Sequence, residues 1–201
     1  MMTPTHALMA ATLGVSLKRR GHQVNMKWLV LGGLAPDVGL LLLSLGYFIA
    51  LRWFGVPGER VFGTTYDTLY FTNPIWIIGY NGLHAPLMIL ALAAIGYYAM
   101  RNGRIWGNPL IWFAVGCSVH SIGDIFTHHF DGPLLLFPFN WNLRFMSPIS
   151  YWDPRYYGDQ FAIFEFGLNI AMILYLLAGW LRRKFSAARA DDAGESDTAL
   201  G

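Results

Sequence analysis

The sequence predicts an all-α, polytopic helical membrane protein, and three observations carry that reading. Of 201 residues, 55% are hydrophobic and only 13% charged, and the mean hydropathy is +0.39, above what a soluble domain needs for its core. Four apolar runs reach or approach the ~20 residues that cross a ~30 Å hydrocarbon layer. Many of the eight tryptophans, ten tyrosines and fourteen phenylalanines flank those runs, where amphipathic rings favour the headgroup level.

The first apolar stretch, Thr5 to Leu17, is the shortest. Thr3 or Thr5 can serve as its N-cap and Pro4 is tolerated in a first turn, so we read it as a helix that forms a short fifth span. The four long spans are Trp28 to Leu51, Ile75 to Met100, Pro109 to Thr127 and Phe161 to Leu181. Beyond Arg182-Arg183-Lys184 the chain turns polar and acidic among small residues, which predicts a helical membrane domain over 1–184 and a disordered acidic tail over 185–201.

Alternating five spans collects ten Lys and Arg on one side, from Lys18 through Arg189, and leaves Arg52, Arg60, Arg144 and Arg155 on the other. That imbalance predicts a bacterial inner-membrane protein with a cytoplasmic C-terminus and with the Arg52 to Pro74 and Phe130 to Gln160 loops outside. No cleavable targeting peptide is expected, since the basic cluster Lys18-Arg19-Arg20 follows the first apolar stretch instead of preceding it. A net charge of +2 with no dense basic patch excludes nucleic acid as a partner. The single cysteine, Cys117, excludes an intrachain disulfide and any site of several thiolates. Neither a repeat nor a cofactor glycine fingerprint is present.

Against this apolar background a few polar side chains stand out. His120, Asp124 and His128 recur every fourth residue, so on a continuous helix two imidazoles and a carboxylate share one face and can converge on a cation. Histidines at a helix end can also simply hydrogen-bond at the water interface. Asp37 follows Pro36 inside the second span, where an ionised carboxylate costs at least ~2.5 kcal/mol unless paired or hydrated. Proline frees a carbonyl one turn earlier, and the glycines around it admit a neighbouring helix. His6 and His84 lie in apolar segments too, with Asn81 on the same face as His84.

Together His6, Asp37, His84, His120, Asp124 and His128 supply four imidazoles and two carboxylates, a nitrogen and oxygen set that suits zinc best among divalent metals. His129 is rotated ~100° from His128 and is the weaker ligand. Glu165 either orients a ligand histidine or caps a helix. The aromatic, proline-rich loop from Phe137 to Gly158 is suited to lying on the membrane surface, either as an anchor or as a roof over the site, with Arg144 or Arg155 holding an anionic headgroup.

At Thr3-Pro4-Thr5-His6, Ala35-Pro36-Asp37 and His120-x3-Asp124-x2-Thr127, followed by Gly132, Leu135, Pro138 and Phe139, the chain resembles the membrane-bound metal-dependent hydrolase family. That family is itself similar to zinc-dependent phospholipase C in the His-x3-Asp motif. The chain departs from the soluble enzymes in placing histidines four and five residues after the aspartate rather than six. It also has Asn81-Gly82-Leu83-His84-Ala85-Pro86 where the membrane family often has His-Arg-Gly-x-Thr-His.

The resemblance implies a helical membrane fold with a metal site, His6, Asp37, His120 and Asp124 being the leading ligands. Hydrolysis of an ester or phosphoester of a membrane-resident substrate would follow, with Asp37 or Asp124 as catalytic carboxylate. The other class the residues allow is a non-enzymatic membrane protein that uses the same side chains for structure, metal handling or transport.

Overall fold

The computed structural model describes the backbone of residues 1–198 and the side chains of residues 1–182 and 184. The chain is helical: α1 Thr3–Arg19, α2 Met26–Trp53, α3 Thr64–Thr72, α4 Pro74–His84, α5 Pro86–Arg101, α6 Gly107–Thr127, a 3₁₀ turn Pro154–Tyr156, and α7 Gly158–Thr198. Among the described residues no strand forms, only an isolated antiparallel bridge between Leu134 and Arg144.

Three helices are long and apolar enough to cross a membrane: α2, α6 and the Gly158–Arg182 part of α7. A fourth span exists if α4 and α5 count as one, and here the structure differs from the expected Ile75 to Met100 helix. The two pieces meet at 54°. Pro86 lacks an N–H and pushes Ala85 into an extended conformation (φ −65°, ψ 126°), so α4 ends on His84.

At 17 residues, or about 25 Å, α1 falls just short of the three crossing helices. Pro4 sits in its first turn as expected, but neither threonine caps it: Met2 is the N-cap. The Met2 N–H donates instead to Glu165 Oε1 at 2.8 Å. That carboxylate, from α7, sits at the positive end of the α1 dipole. Asn169 of the same helix donates to Thr5 Oγ1 at 3.0 Å. Farther along, Arg19 lies 4.4 Å over the Tyr175 ring, so α7 packs along α1 and leaves Ile163, Phe166 and Leu174 exposed, as a lipid-facing helix does.

α7 continues as a helix past 185 through most of the expected tail. Ala187, Ala188, Ala190 and Ala193 give that stretch a helix propensity that needs no packing. Residues 199–201, the end of that expected tail, lie outside the described residues. The nine-residue α3 within the Arg52 to Pro74 loop was not foreseen. Its Tyr66 and Tyr70 pack with Tyr47, Trp76 and Tyr80 in an aromatic core.

The burial pattern is inverted relative to a soluble protein. Leu41, Leu42, Leu90 and Phe126 face outward, while Thr5, His6, Asn81, His84, His120 and Asp124 are buried. What brings these polar groups together is the close approach of α2. A Cβ on Gly32 would run into the Phe113 carbonyl of α6, and one on Gly33 would stand 2.9 Å from Ala10 Cβ of α1. Gly46, farther along α2, has nothing near it. Gly32→Ala is therefore expected to cost about 1–3 kcal/mol by overpacking, while Gly46→Ala changes stability by no more than about 0.5 kcal/mol. Thermal or denaturant unfolding of the two variants in detergent checks this, and equal effects would refute the crossing at Gly32.

Candidate metal centre

The four members of the site come from three helices, α2, α4 and α6. His120 lies in the last half of α6, one turn before Asp124. His84 is the residue on which α4 ends, and its freed backbone carbonyl is taken up by Ser121 Oγ at 2.6 Å. Asp37 follows the buried Pro36 in α2. Four atoms, one from each of Asp37, His84, His120 and Asp124, lie within 4.8 Å of one another.

The individual separations are tighter. His84 Nε2 is 3.0 Å from His120 Nε2, 3.3 Å from Asp124 Oδ2 and 3.6 Å from Asp37 Oδ1. His120 Nε2 is 3.1 Å from Asp124 Oδ2 and 3.3 Å from Asp37 Oδ1. Ligand atoms ~2.0–2.1 Å from a tetrahedral ion stand about 3.3 Å from each other. Every separation that involves an imidazole nitrogen is already close to that value, and the two carboxylate oxygens lie within 4.8 Å of each other.

Both rings are anchored on their far sides. His84 Nδ1 lies 2.8 Å from the Tyr80 carbonyl, and His120 Nδ1 lies 2.8 Å from the Gly33 carbonyl. A carbonyl only accepts, so each Nδ1 carries a hydrogen, and a ring that is neutral turns an Nε2 lone pair inward. With both rings neutral, two lone pairs and two carboxylates face one another, a set that a bound cation or added protons would satisfy. The Gly33 carbonyl is within reach because α2 and α6 approach closely at Gly32, Gly33 and Gly116. Hydrogen-bonded carbonyls behind ligand imidazoles are the usual support of a metal site.

Asp124 also looks the other way. Its Oδ1 takes a hydrogen bond from the Met1 nitrogen at 2.9 Å and lies 3.0 Å from His6 Nε2. The His6 ring stacks on that of His120 with centroids 3.7 Å apart. Both His6 nitrogens are buried without a hydrogen bond of good geometry, so His6 borders the four-atom cluster without belonging to it.

His128 lies at the edge of the cluster, its Nδ1 3.7 Å from Asp124 Oδ1, for a reason of backbone geometry. The helix ends at Thr127, and His128 is extended (φ −121°, ψ 120°), so it leaves the face that His120 and Asp124 share. Its Nδ1 donates to the Asp124 carbonyl at 3.0 Å. His129 lies in the loop, stacked on Tyr156 at 3.6 Å. Glu165 makes no hydrogen bond or ion pair to a histidine among the described residues and accepts from the N-terminal end of α1 instead.

Sequence reasoning missed Thr3, whose hydroxyl donates to Asp37 Oδ2. It also missed the Tyr80 ring, stacked on His84 at 4.1 Å. Tyr80 stands four residues before His84, the spacing at which a helical histidine can reach back to a carbonyl. That was the available signal. Asn81 does not join the site: its Oδ1 accepts from Leu134 N–H at 2.8 Å and ties the following loop to α4.

That loop closes over the end of α6. Ser147 Oγ donates to the Phe126 carbonyl at 2.6 Å and the Tyr151 N–H to the Thr127 carbonyl at 2.8 Å. These bonds satisfy carbonyls that a helix end leaves open. Asp37 is the one member of the cluster with an accessible side chain, 26% exposed against 0–3% for the others, so access to the site runs past it.

Fold and site together define a helical membrane protein with a buried cluster of two histidines and two aspartates able to hold a metal ion. The chain belongs to the YdjM inner membrane protein family, whose model matches residues 1–186. Neither a search of curated proteins nor one of solved structures found a match.

His120→Ala and Asp124→Ala each remove one atom of the cluster, and each is expected to lower bound zinc in purified protein from about one equivalent to below about a tenth. His129→Ala should leave it unchanged. Elemental analysis alongside a melting curve checks this, and full occupancy in folded Asp124→Ala would contradict it.

Proposed function

We propose that this chain is an integral membrane metal-dependent hydrolase that cleaves an ester or phosphoester of a membrane-resident substrate. The observation that carries the reading is the convergence of two imidazole nitrogens and two carboxylate oxygens within 4.8 Å of one another. His84, His120 and Asp124 would hold the ion, a two-histidine, one-carboxylate set of the kind catalytic zinc uses. His6 would support the set by stacking on His120, or join it through Asp124. His128 would contribute only from the margin.

A bound zinc-type ion would polarise the ester oxygen and lower the pKa of a water. Asp37 is suited to accept the proton of that water, since it is the accessible carboxylate and Thr3 already steadies its other oxygen. Water then adds to the carbonyl or phosphoryl centre, the ester bond breaks, and the proton leaves with the alcohol. Asp124, almost fully buried, keeps the imidazoles in register. The roof formed by residues 128–157 would limit bulk water. The lysine and arginine imbalance supports a cytoplasmic C-terminus, which would make this an outward-facing site.

One observation favours a second reading. With Asp37 as a fourth ligand the tetrahedron is complete, and a closed site is structural or metal-handling in character. The expected result for the hydrolase is turnover of a phospho- or carboxylic ester by zinc-loaded protein in detergent micelles. Asp37→Asn should then cut kcat by at least about a hundredfold, the size of a general-base contribution, while zinc stays bound. If no ester in such a panel is cleaved by fully loaded protein, the handling reading replaces the hydrolase.

A further inference from the structure

A second feature lies outside the His/Asp cluster, in a hollow of about 490 Å³ between α3 and the loop that follows α6. Phe71 lines it from α3, and Phe130, Trp141, Leu143, Arg144 and Met146 line it from the loop. Arg144 is held there firmly. Its backbone bridges to Leu134, one guanidinium N–H donates to the Gly132 carbonyl at 3.1 Å, and the guanidinium lies 5.5 Å over the Phe71 ring.

The two arginines of this loop have different partners. Arg155 gives Nε and Nη2 to both oxygens of Asp153, at 2.7–3.2 Å, and those bonds hold the Asp153 carboxyl below the usual carboxylate range. Arg144 is in no ion pair among the described residues. Asp131, nearby in sequence, turns its Oδ2 to the Trp152 indole N–H at 2.9 Å. Arg144 therefore keeps most of its fork of donors for paired oxygens from outside the chain.

The hollow follows the last turn of α6 and precedes α7, at the ends of two spans. The loop around it exposes Phe139 and Met146. Apolar rings beside one fixed guanidinium at headgroup level match an anionic lipid head with its glycerol and upper chains. We infer that this hollow binds the phosphate of a phospholipid headgroup, with Arg144 as its anchor.

A row of rings joins it to the cluster. Tyr70, next to Phe71, packs 5.2 Å from Tyr80, and Tyr80 stacks on His84. Taking the bound lipid as substrate rests on the hydrolase reading; the binding does not.

The test is equilibrium binding to full-length, chelator-stripped protein in detergent, so a failure of catalysis and a failure of this site are seen separately. The probes are a short-chain fluorescent phosphatidylglycerol, the diacylglycerol with the same chains, and inorganic phosphate. Wild type should bind the phospholipid at least about tenfold more tightly than the diacylglycerol, and R144Q should lose about tenfold, as expected for a charge-assisted pair.

R155Q should stay within about twofold, since its charge is already paired. R144K keeps the charge without the planar fork and should lose about threefold or more, which decides the matter if R144Q does not fold. Equal affinity for the diacylglycerol, or unchanged binding by a folded Arg144 variant, overturns the inference. Displacement of the lipid by an equal concentration of inorganic phosphate overturns the lipid assignment and makes free phosphate the ligand.

Discussion

Two imidazole nitrogens stand 3.0 Å apart, each ring held by a carbonyl behind it, and as neutral rings they cannot satisfy each other. Two carboxylates at 3.1–3.6 Å add negative charge to the same point. In hydrocarbon surroundings such a cluster needs compensating positive charge, from a bound cation or from added protons. The unusual features of the backbone all serve that arrangement. The close crossing of α2 and α6 sets the Gly33 carbonyl behind His120, and the break before Pro86 leaves His84 at a helix end. Gly32 and Gly33 let α6 and α1 come close enough for His120 and His6 to stack.

The same requirement accounts for which parts of the molecule are polar. Helices that surround the cluster bury histidine, threonine, serine and asparagine, and send leucine and phenylalanine outward. α7, which contributes nothing to the four-atom cluster, is joined to α1 by a carboxylate at a helix N-terminus, an amide and an arginine over a ring. It steadies the helix that carries His6 and Thr3. The loop after α6 carries polar bonds to carbonyls at the end of α6, so the end nearest Asp124 is fixed on both sides.

Much of this was legible in the sequence because it follows from short-range rules. Hydropathy marks α2, α6 and α7. The four-residue spacing of His120 and Asp124 fixes a shared face, and an aspartate after a proline within an apolar run is too costly to be incidental. The spacing argument for His128 assumes a continuing helix, whereas α6 ends at Thr127, so His128 approaches Asp124 from an extended residue beyond the helix end. The bent α4–α5 pair, α3, and the Thr3 bond to Asp37 were hidden for a different reason. They depend on contacts between segments far apart in the chain, which no local period records. His84 carried weight only once three helices had brought it opposite His120.

The family description supplies a membrane location, and the cluster supplies the chemistry, so the account depends on whether a metal sits between these side chains. X-ray absorption at the zinc edge, on protein extracted from membranes without added metal and then loaded with one equivalent, tests that directly. The account predicts a four-coordinate first shell of nitrogen and oxygen at ~2.0–2.1 Å with scattering from two imidazoles. A six-coordinate water shell without imidazole scattering, or a failure to retain zinc at all, would contradict it.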